Sequence, residues 1–290
     1  MIKKLMIAAL IGVSILGVSC GKATTEVAEA KKVVSATVSA TQVMDKFGLD
    51  LVGVPKTSTT LPERYNGVQE IGQAFAPNFE TIVSLNPDLL IFDINFKEKV
   101  EKQVSDYGMN AFYFNTKSFT EFKNSIIELG DLTGKKKEAK KVVTELQESV
   151  DKVLAKGKKS DSKPKVAIVF GSAESYMLAT DTSYVGDLLN TIGVDNITDD
   201  IDSVNSAYLN FSMEQVVQMN PDYILRLSHG DLEESKKAFE KEFATNPAWS
   251  SLKATKEGKV YDLDPGLFAV TANLSVTDAI EELGKIIYGE

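Results

Sequence analysis

The chain has one cysteine, one histidine and two arginines in 290 residues, and each scarcity removes something. A single cysteine excludes internal disulfides. A single histidine, His229, excludes zinc or manganese sites built on several imidazoles and His-pair zinc hydrolases. It also limits any catalytic triad to one that uses His229. Positive charge is in deficit: 32 Lys and Arg against 41 Asp and Glu leave a net charge of −9, the opposite of the basic face a nucleic-acid binder needs. No G-x-S-x-G elbow and no phosphate loop occurs. Arg64 and Arg226 stand alone in a chain that otherwise uses lysine, and mark places where a planar, bidentate donor could matter. The rest is ordinary: 43% hydrophobic and 25% charged residues describe a globular chain long enough for two cores.

After Lys3 and Lys4, the apolar run at 5–18 covers about fourteen residues, short of the roughly twenty that cross a membrane. It reads as a secretory signal over 1–19, ending at Ser19-Cys20-Gly21. The lone cysteine in that place resembles a bacterial lipoprotein cleavage site, although Gly17 stands where leucine is usual and Leu16 comes one place early. A plain secretory signal with an incidental cysteine is the alternative. Lipidation of Cys20 would hold the chain at a membrane, since stable anchoring takes more than one acyl chain. With residues 20–32 as anchor and tether, structure is expected from 33.

One stretch is written twice. Residues 80–91 (Glu-Thr-Ile-Val-Ser-Leu-Asn-Pro-Asp-Leu-Leu-Ile) recur at 214–225 as Glu-Gln-Val-Val-Gln-Met-Asn-Pro-Asp-Tyr-Ile-Leu, offset by 134 residues without a gap. Two copies suggest two similar lobes. Each reads as a short helix, a break at Asn-Pro-Asp, and a buried strand. Around them, strand patterns fall at 33–37, 51–54, 89–93 and 111–114, with helices at 40–47, 77–85, 96–107 and 119–132. One long amphipathic helix follows at 135–157, with Ala139, Val142, Val143, Leu146, Val150, Val153 and Leu154 at helical spacing. Then come strands at 165–170, 223–227 and 260–262, and helices at 184–192, 212–219, 232–244 and 277–288. The expected fold class is α/β: an N-terminal lobe (33–133), a connecting helix (134–158) and a C-terminal lobe (163–290), with the ligand cleft between the lobes.

Ligands of open α/β sheets sit beyond the carboxyl ends of strands. Seven residues past the repeated aspartate, one copy has Asn95 and the other His229, in Leu227-Ser228-His229-Gly230. The only histidine therefore falls where a ligand-facing residue belongs, and Gly230 permits a sharp turn there. One imidazole suits an axial haem ligand; a bland surface histidine is the alternative.

Together these features resemble the substrate-binding lipoproteins of ATP-driven (ABC) importers, in the helical-backbone class that serves haem, siderophores and cobalamin. Within it, the chain is similar to the haem-binding lipoproteins of the iron-regulated surface determinant system. The segments that carry the likeness are Leu61-Pro-Glu-Arg-Tyr-Asn-Gly-Val, Glu70-Ile-Gly, Ser183-Tyr-Val-Gly-Asp-Leu, Leu225-Arg-Leu-Ser-His-Gly and Lys259-Val-Tyr-Asp-Leu, with 268–273. The resemblance implies haem as transported ligand, His229 as its axial iron ligand, and a methionine opposite within Gly-x-x-Met-x-Pro. This chain has Gly72-Gln-Ala-Phe75-Ala-Pro77, and phenylalanine can only cover a porphyrin face. Iron would then be five-coordinate, or take Met177 or Tyr176, or the ligand would be another flat macrocycle. Haem carboxylates could meet Arg64, Tyr65, Lys56, Thr57, Ser58, Thr59 or Thr60. Arg226 is a weaker candidate, because strand alternation turns it from His229.

In the same class, one acidic residue on each lobe docks on permease arginines. The resemblance selects Glu80 and Glu214, either of which could instead be an ordinary first-turn glutamate. The expected function is thus non-enzymatic capture of haem by a membrane-anchored, extracytoplasmic monomer and its delivery to an ABC permease with a cytoplasmic ATPase. The alternatives are a siderophore or cobalamin receptor, or a secreted hydrolase using His229 as base with Ser228 or Asp231. A surface adhesion module would leave the paired glutamates and the histidine without a role.

Overall fold

The computed structural model describes residues 29–157, 163–172, 175–201, 206–268 and 271–289. The expected signal, Cys20 and most of the tether lie outside these.

Four parallel strands make the first sheet, in the order Leu51–Gly53, Val33–Ser35, Leu89–Asp93, Ala111–Phe114. Val33–Ser35 and Leu89–Asp93 are buried throughout, as expected for central strands of a parallel sheet covered on both faces. Alternation divides their side chains between two cores: Val33, Leu89 and Ile91 join the main core, and Val34, Leu90 and Phe92 the smaller one.

The second sheet is mixed, ordered Tyr208–Leu209, Tyr176–Ala179, Lys165–Gly171, Tyr223–Ser228, Val260–Leu263, with Asp195–Asn196 beside Lys165–Gly171. Lys165–Gly171, Tyr223–Ser228 and Val260–Leu263 run parallel. Here Val166, Ile168, Phe170, Leu225 and Leu227 enter the main core, and Ala167, Val169 and Ile224 a separate one.

The helix Lys136–Gly157 buries Ala139, Val142, Leu146, Val150 and Val153, and all five belong to the main core shared by both sheets. It packs between the helices Phe119–Leu132 and Val276–Tyr288. Gly284 is needed there, since a Cβ on it would stand 2.8 Å from a methyl of Val153. A single apolar core thus runs from lobe to lobe and resists independent movement of the sheets.

The repeated segment is built alike in both lobes. Helices Phe79–Leu85 and Met213–Met219 are capped by the side chains of Asn78 and Ser212 and end on Asn86 and Asn220 in the left-handed region, at φ 47° and 42°. Each proline thus turns the preceding asparagine out of the helix. Asp88 then accepts the backbone N–H groups of Lys31 and Lys32 at 3.0 and 2.8 Å, and Asp222 that of Lys165 at 3.0 Å.

The two antiparallel strands Tyr176–Ala179 and Tyr208–Leu209 were not expected from local pattern. Tyr-Met-Leu-Ala suits a helix as well as a strand, and only pairing with Lys165–Gly171 decides it.

Candidate ligand-binding site

Past each sheet's carboxyl edge, short loops converge on one hollow of about 480 Å3. The second sheet supplies Phe170, Tyr208 and His229; the first supplies Asn95 and Lys117. A smaller hollow of about 380 Å3 shares Phe170 and His229 and adds Leu232, Pro265 and Phe268. His229 and Phe170 therefore form the partition between two apolar-lined spaces, of a size that takes small-molecule ligands.

His229 follows the strand Tyr223–Ser228 directly. Its N–H donates to the Gly171 carbonyl at 2.8 Å, and its carbonyl accepts from the Ser235 hydroxyl at 2.7 Å. Gly230, at φ +79°, turns the chain into the helix Leu232–Thr245, capped by Asp231. The backbone is thus pinned on both sides. The imidazole lies 5.2 Å from the Phe170 ring, which is 4.2 Å from Tyr208. Among the described residues neither ring nitrogen has a hydrogen-bond partner, so the one lone pair and the one N–H of a neutral imidazole are both open to chemistry. Burial pushes the Tyr208 phenol up, and Tyr184, in the same wall, is pushed up for the same reason.

On the facing lobe Asp93 organises both contributing loops. It accepts from the Asn95 N–H at 2.9 Å and from the Thr116 hydroxyl at 2.8 Å. That fixes Asn95 and sets Lys117 one residue beyond Thr116. Lys117, an exposed residue of the wall, has no ion pair among the described residues, and an unpaired ammonium is a ready partner for a ligand carboxylate. Sequence reasoning missed it; its one signal was its place just past the strand Ala111–Phe114.

Several expected contacts are corrected. The Arg64 guanidinium is engaged on the surface by Asp45 at 3.2 Å and Asp50 at 3.1 Å. Tyr65 is buried and donates its hydroxyl to the Leu49 carbonyl at 2.8 Å. Arg226 forms a bidentate pair with Asp262 at 2.7 and 2.5 Å and stacks on Phe239 and Phe243. Arg226 is bidentate on one carboxylate and Arg64 bridges two, both as structural clamps. Tyr176 packs on Phe239, on the sheet face opposite Phe170. Met177 pairs with Phe170 in register and packs into the main core, outside the walls of both hollows.

Lys56, Thr57, Ser58, Thr59 and Thr60 follow the strand Leu51–Gly53 at the same carboxyl edge and also stand outside both walls. Phe75 is at the tip of the hairpin Gly72–Gln73/Ala76–Pro77, 55% exposed, and lines neither hollow. That hairpin is tied to the Lys56 loop, whose N–H donates to the Gly72 carbonyl at 2.8 Å. Glu80 and Glu214 occupy the exposed first turns of the two repeat helices. Among the described residues there is no group of three or more His, Cys, Asp or Glu that could hold a bare metal ion, and no helix is long and apolar enough to cross a membrane.

A family profile described as periplasmic binding protein matches residues 33–267. The high-affinity heme uptake system protein IsdE of Staphylococcus aureus is 36% identical over 257 residues, covering 89% of this chain and 87% of that protein. Its solved structure complexed with heme superimposes with a TM-score of 0.76, covering 89% of this chain and 98% of that one. An ABC transporter substrate-binding protein from Listeria monocytogenes EGD-e gives a TM-score of 0.80 at 34% identity, with 90% and 100% coverage. Staphylococcus aureus SirA complexed with staphyloferrin B gives 0.72 at 27% identity, with 89% and 93% coverage.

Proposed function

The chain belongs to the periplasmic binding protein family, a family of non-enzymatic binding proteins, and on that premise we propose that it captures haem in the cleft between its lobes. The observation that carries this is His229: an imidazole whose nitrogens have no partner among the described residues, held by its backbone at a strand end, in a wall of aromatic side chains. A flat apolar macrocycle with one open metal position needs that pairing of features. Haem is cargo here, and no bond of it is made or broken apart from ligation of its iron.

In this reading His229 takes the iron and Phe170 and Tyr208 lie beside the macrocycle. Phe75, carried on its hairpin, covers the opposite face, where it can give no electron pair to iron. Lys117 receives a carboxylate. The similarity to a haem uptake protein at 36% identity supports this ligand; the similarity to SirA with staphyloferrin B supports a siderophore instead. A siderophore brings iron already enclosed by its own donors, which would leave the His229 imidazole without a role as ligand. That favours haem.

Residues 33–133 and 163–290 act as the two lobes, with 134–158 between them. The loaded protein, an extracytoplasmic monomer held by lipid on Cys20, docks through Glu80 and Glu214 on an ABC permease driven by a cytoplasmic ATPase. The deciding experiment titrates ferric haem into purified protein and into His229→Ala. A sharpened Soret band is expected in the first and a displaced or weakened one in the second. No sharpening in the wild type removes haem, and identical bands remove His229 as ligand.

A further inference from the structure

The repeat helices share more than their glutamates. In Phe79–Leu85 and Met213–Met219 the central positions match in burial: Ile82 and Val216 are buried, while Val83 and Val217 are 43% and 40% exposed. Each valine lies three residues after Glu80 or Glu214, so valine and glutamate share one helix face. Only three other large hydrophobics among the described residues are comparably exposed, Phe75, Tyr107 and Leu232, and none has an exposed apolar equivalent at the same offset. The corresponding residues are the half-buried Leu209, Lys241 and Glu98.

A single exposed valine needs no explanation. The same exposed valine on both lobes does, because a β-branched residue weakens a solvent-facing helix that lysine or glutamate would favour. Both helices are also rigidly presented. Each has a capping side chain, a left-handed asparagine at its end, and an aspartate clamping the chain beyond it. A preset surface loses little freedom on association.

We propose that Glu80–Val83 and Glu214–Val217 are two equivalent docking knobs, each an acid beside an apolar contact. Their partner is a permease dimer that presents, on each half, a basic side chain next to an apolar socket. This rests on the docking role given above to the two glutamates and adds the valines to it. Charge fixes one element of the partner, since exposed carboxylates call for cationic side chains. The valines fix the other: seating them excludes water from the rim, where an ion pair would otherwise be screened. Two copies of one knob require two copies of one socket, which a symmetric dimer supplies.

The test measures capture of the haem-loaded full chain by the purified permease–ATPase complex, with haem titration as control. Val83→Ser and Val217→Ser should each weaken capture roughly tenfold, and the double variant roughly a hundredfold, with haem binding unchanged. If the double variant is captured within twofold of wild type while Glu80→Lys with Glu214→Lys abolishes capture, the valines have no part and the glutamates keep theirs. If the charge reversals also leave capture unchanged, the docking role of this face fails altogether.

Discussion

Asn95 and His229 lie seven residues beyond Asp88 and Asp222 and line the same hollow from opposite lobes. The lobes are alike in how they reach the cleft and unlike in what they deliver there: an amide from one, an imidazole from the other. In the proposed reading His229 is the imidazole donor to iron, and the Phe75 hairpin faces the second axial position.

That asymmetry gives the first prediction. Phe75→Met places a thioether on the hairpin that phenylalanine now occupies, so the ferric haem spectrum should move toward a six-coordinate His/Met species. Visible absorption and magnetic circular dichroism would read the change. An unaltered spectrum would mean that the hairpin does not reach the iron's second face.

Lys117 gives the second. A charge-assisted bond to a haem carboxylate is worth roughly 1.5 kcal/mol, so Lys117→Ala should weaken haem binding about tenfold without shifting the Soret maximum. Loss of affinity with a shifted maximum would point to a disturbed iron site instead. Lys56→Ala, outside the wall, should change affinity little.

Much of this was legible before any coordinates. Helix Phe119–Leu132 matches the expected 119–132, because a long apolar period averages over local ambiguity. His229 was legible because uniqueness and position past a strand coincide. Lys117 was not, since its one signal, a place just past the strand Ala111–Phe114, is weak in a lysine-rich chain; the fold brings it to the wall. Arg64 and Arg226 misdirected the reading for a related reason. Rarity marks a place where a planar, many-donor guanidinium is used, but the partners, Asp45, Asp50 and Asp262, come from elsewhere in the fold.

The repeated aspartates give a third prediction, on the acid side. Asp88 is held below the usual carboxylate range by the backbone N–H groups of Lys32 and Lys31. For Asp222 burial acts upward, but the bonds from Lys253 and the Lys165 N–H outweigh it and the net shift is down. A depressed carboxylate contributes stability that is present above its unfolded pKa and lost as pH falls through its folded pKa. Denaturation midpoints of Asp88→Asn and Asp222→Asn should therefore lie below wild type at neutral pH and converge with it in acid. A constant gap across pH would show that the carboxylate charge has no part in the clamp.

Asp187 should behave in the opposite sense. Its carboxylate accepts the Phe119 N–H at 2.5 Å, linking helix Tyr184–Thr191 of one lobe to the start of helix Phe119–Leu132 of the other. Burial raises its pKa; the Phe119 bond and nearby Lys123 pull it down, and Asp181 adds to the rise, leaving it above the ordinary value. Between the unfolded and folded pKa the native state holds more protons than the unfolded chain, so this group's contribution falls as pH rises through that window. Asp187→Asn keeps an acceptor for the Phe119 N–H and removes the buried charge. It should be more stable than wild type above the window and equal to it well below. Asp187→Ala strands the part-buried Phe119 N–H and should lie roughly 1–3 kcal/mol below Asp187→Asn at every pH. Urea melts of the three proteins from about pH 4 to about pH 8 separate these outcomes, because linkage makes the Asn difference pH-dependent. An Asn variant less stable than wild type at neutral pH would show that the charge-assisted bond to Phe119 outweighs the cost of burying Asp187.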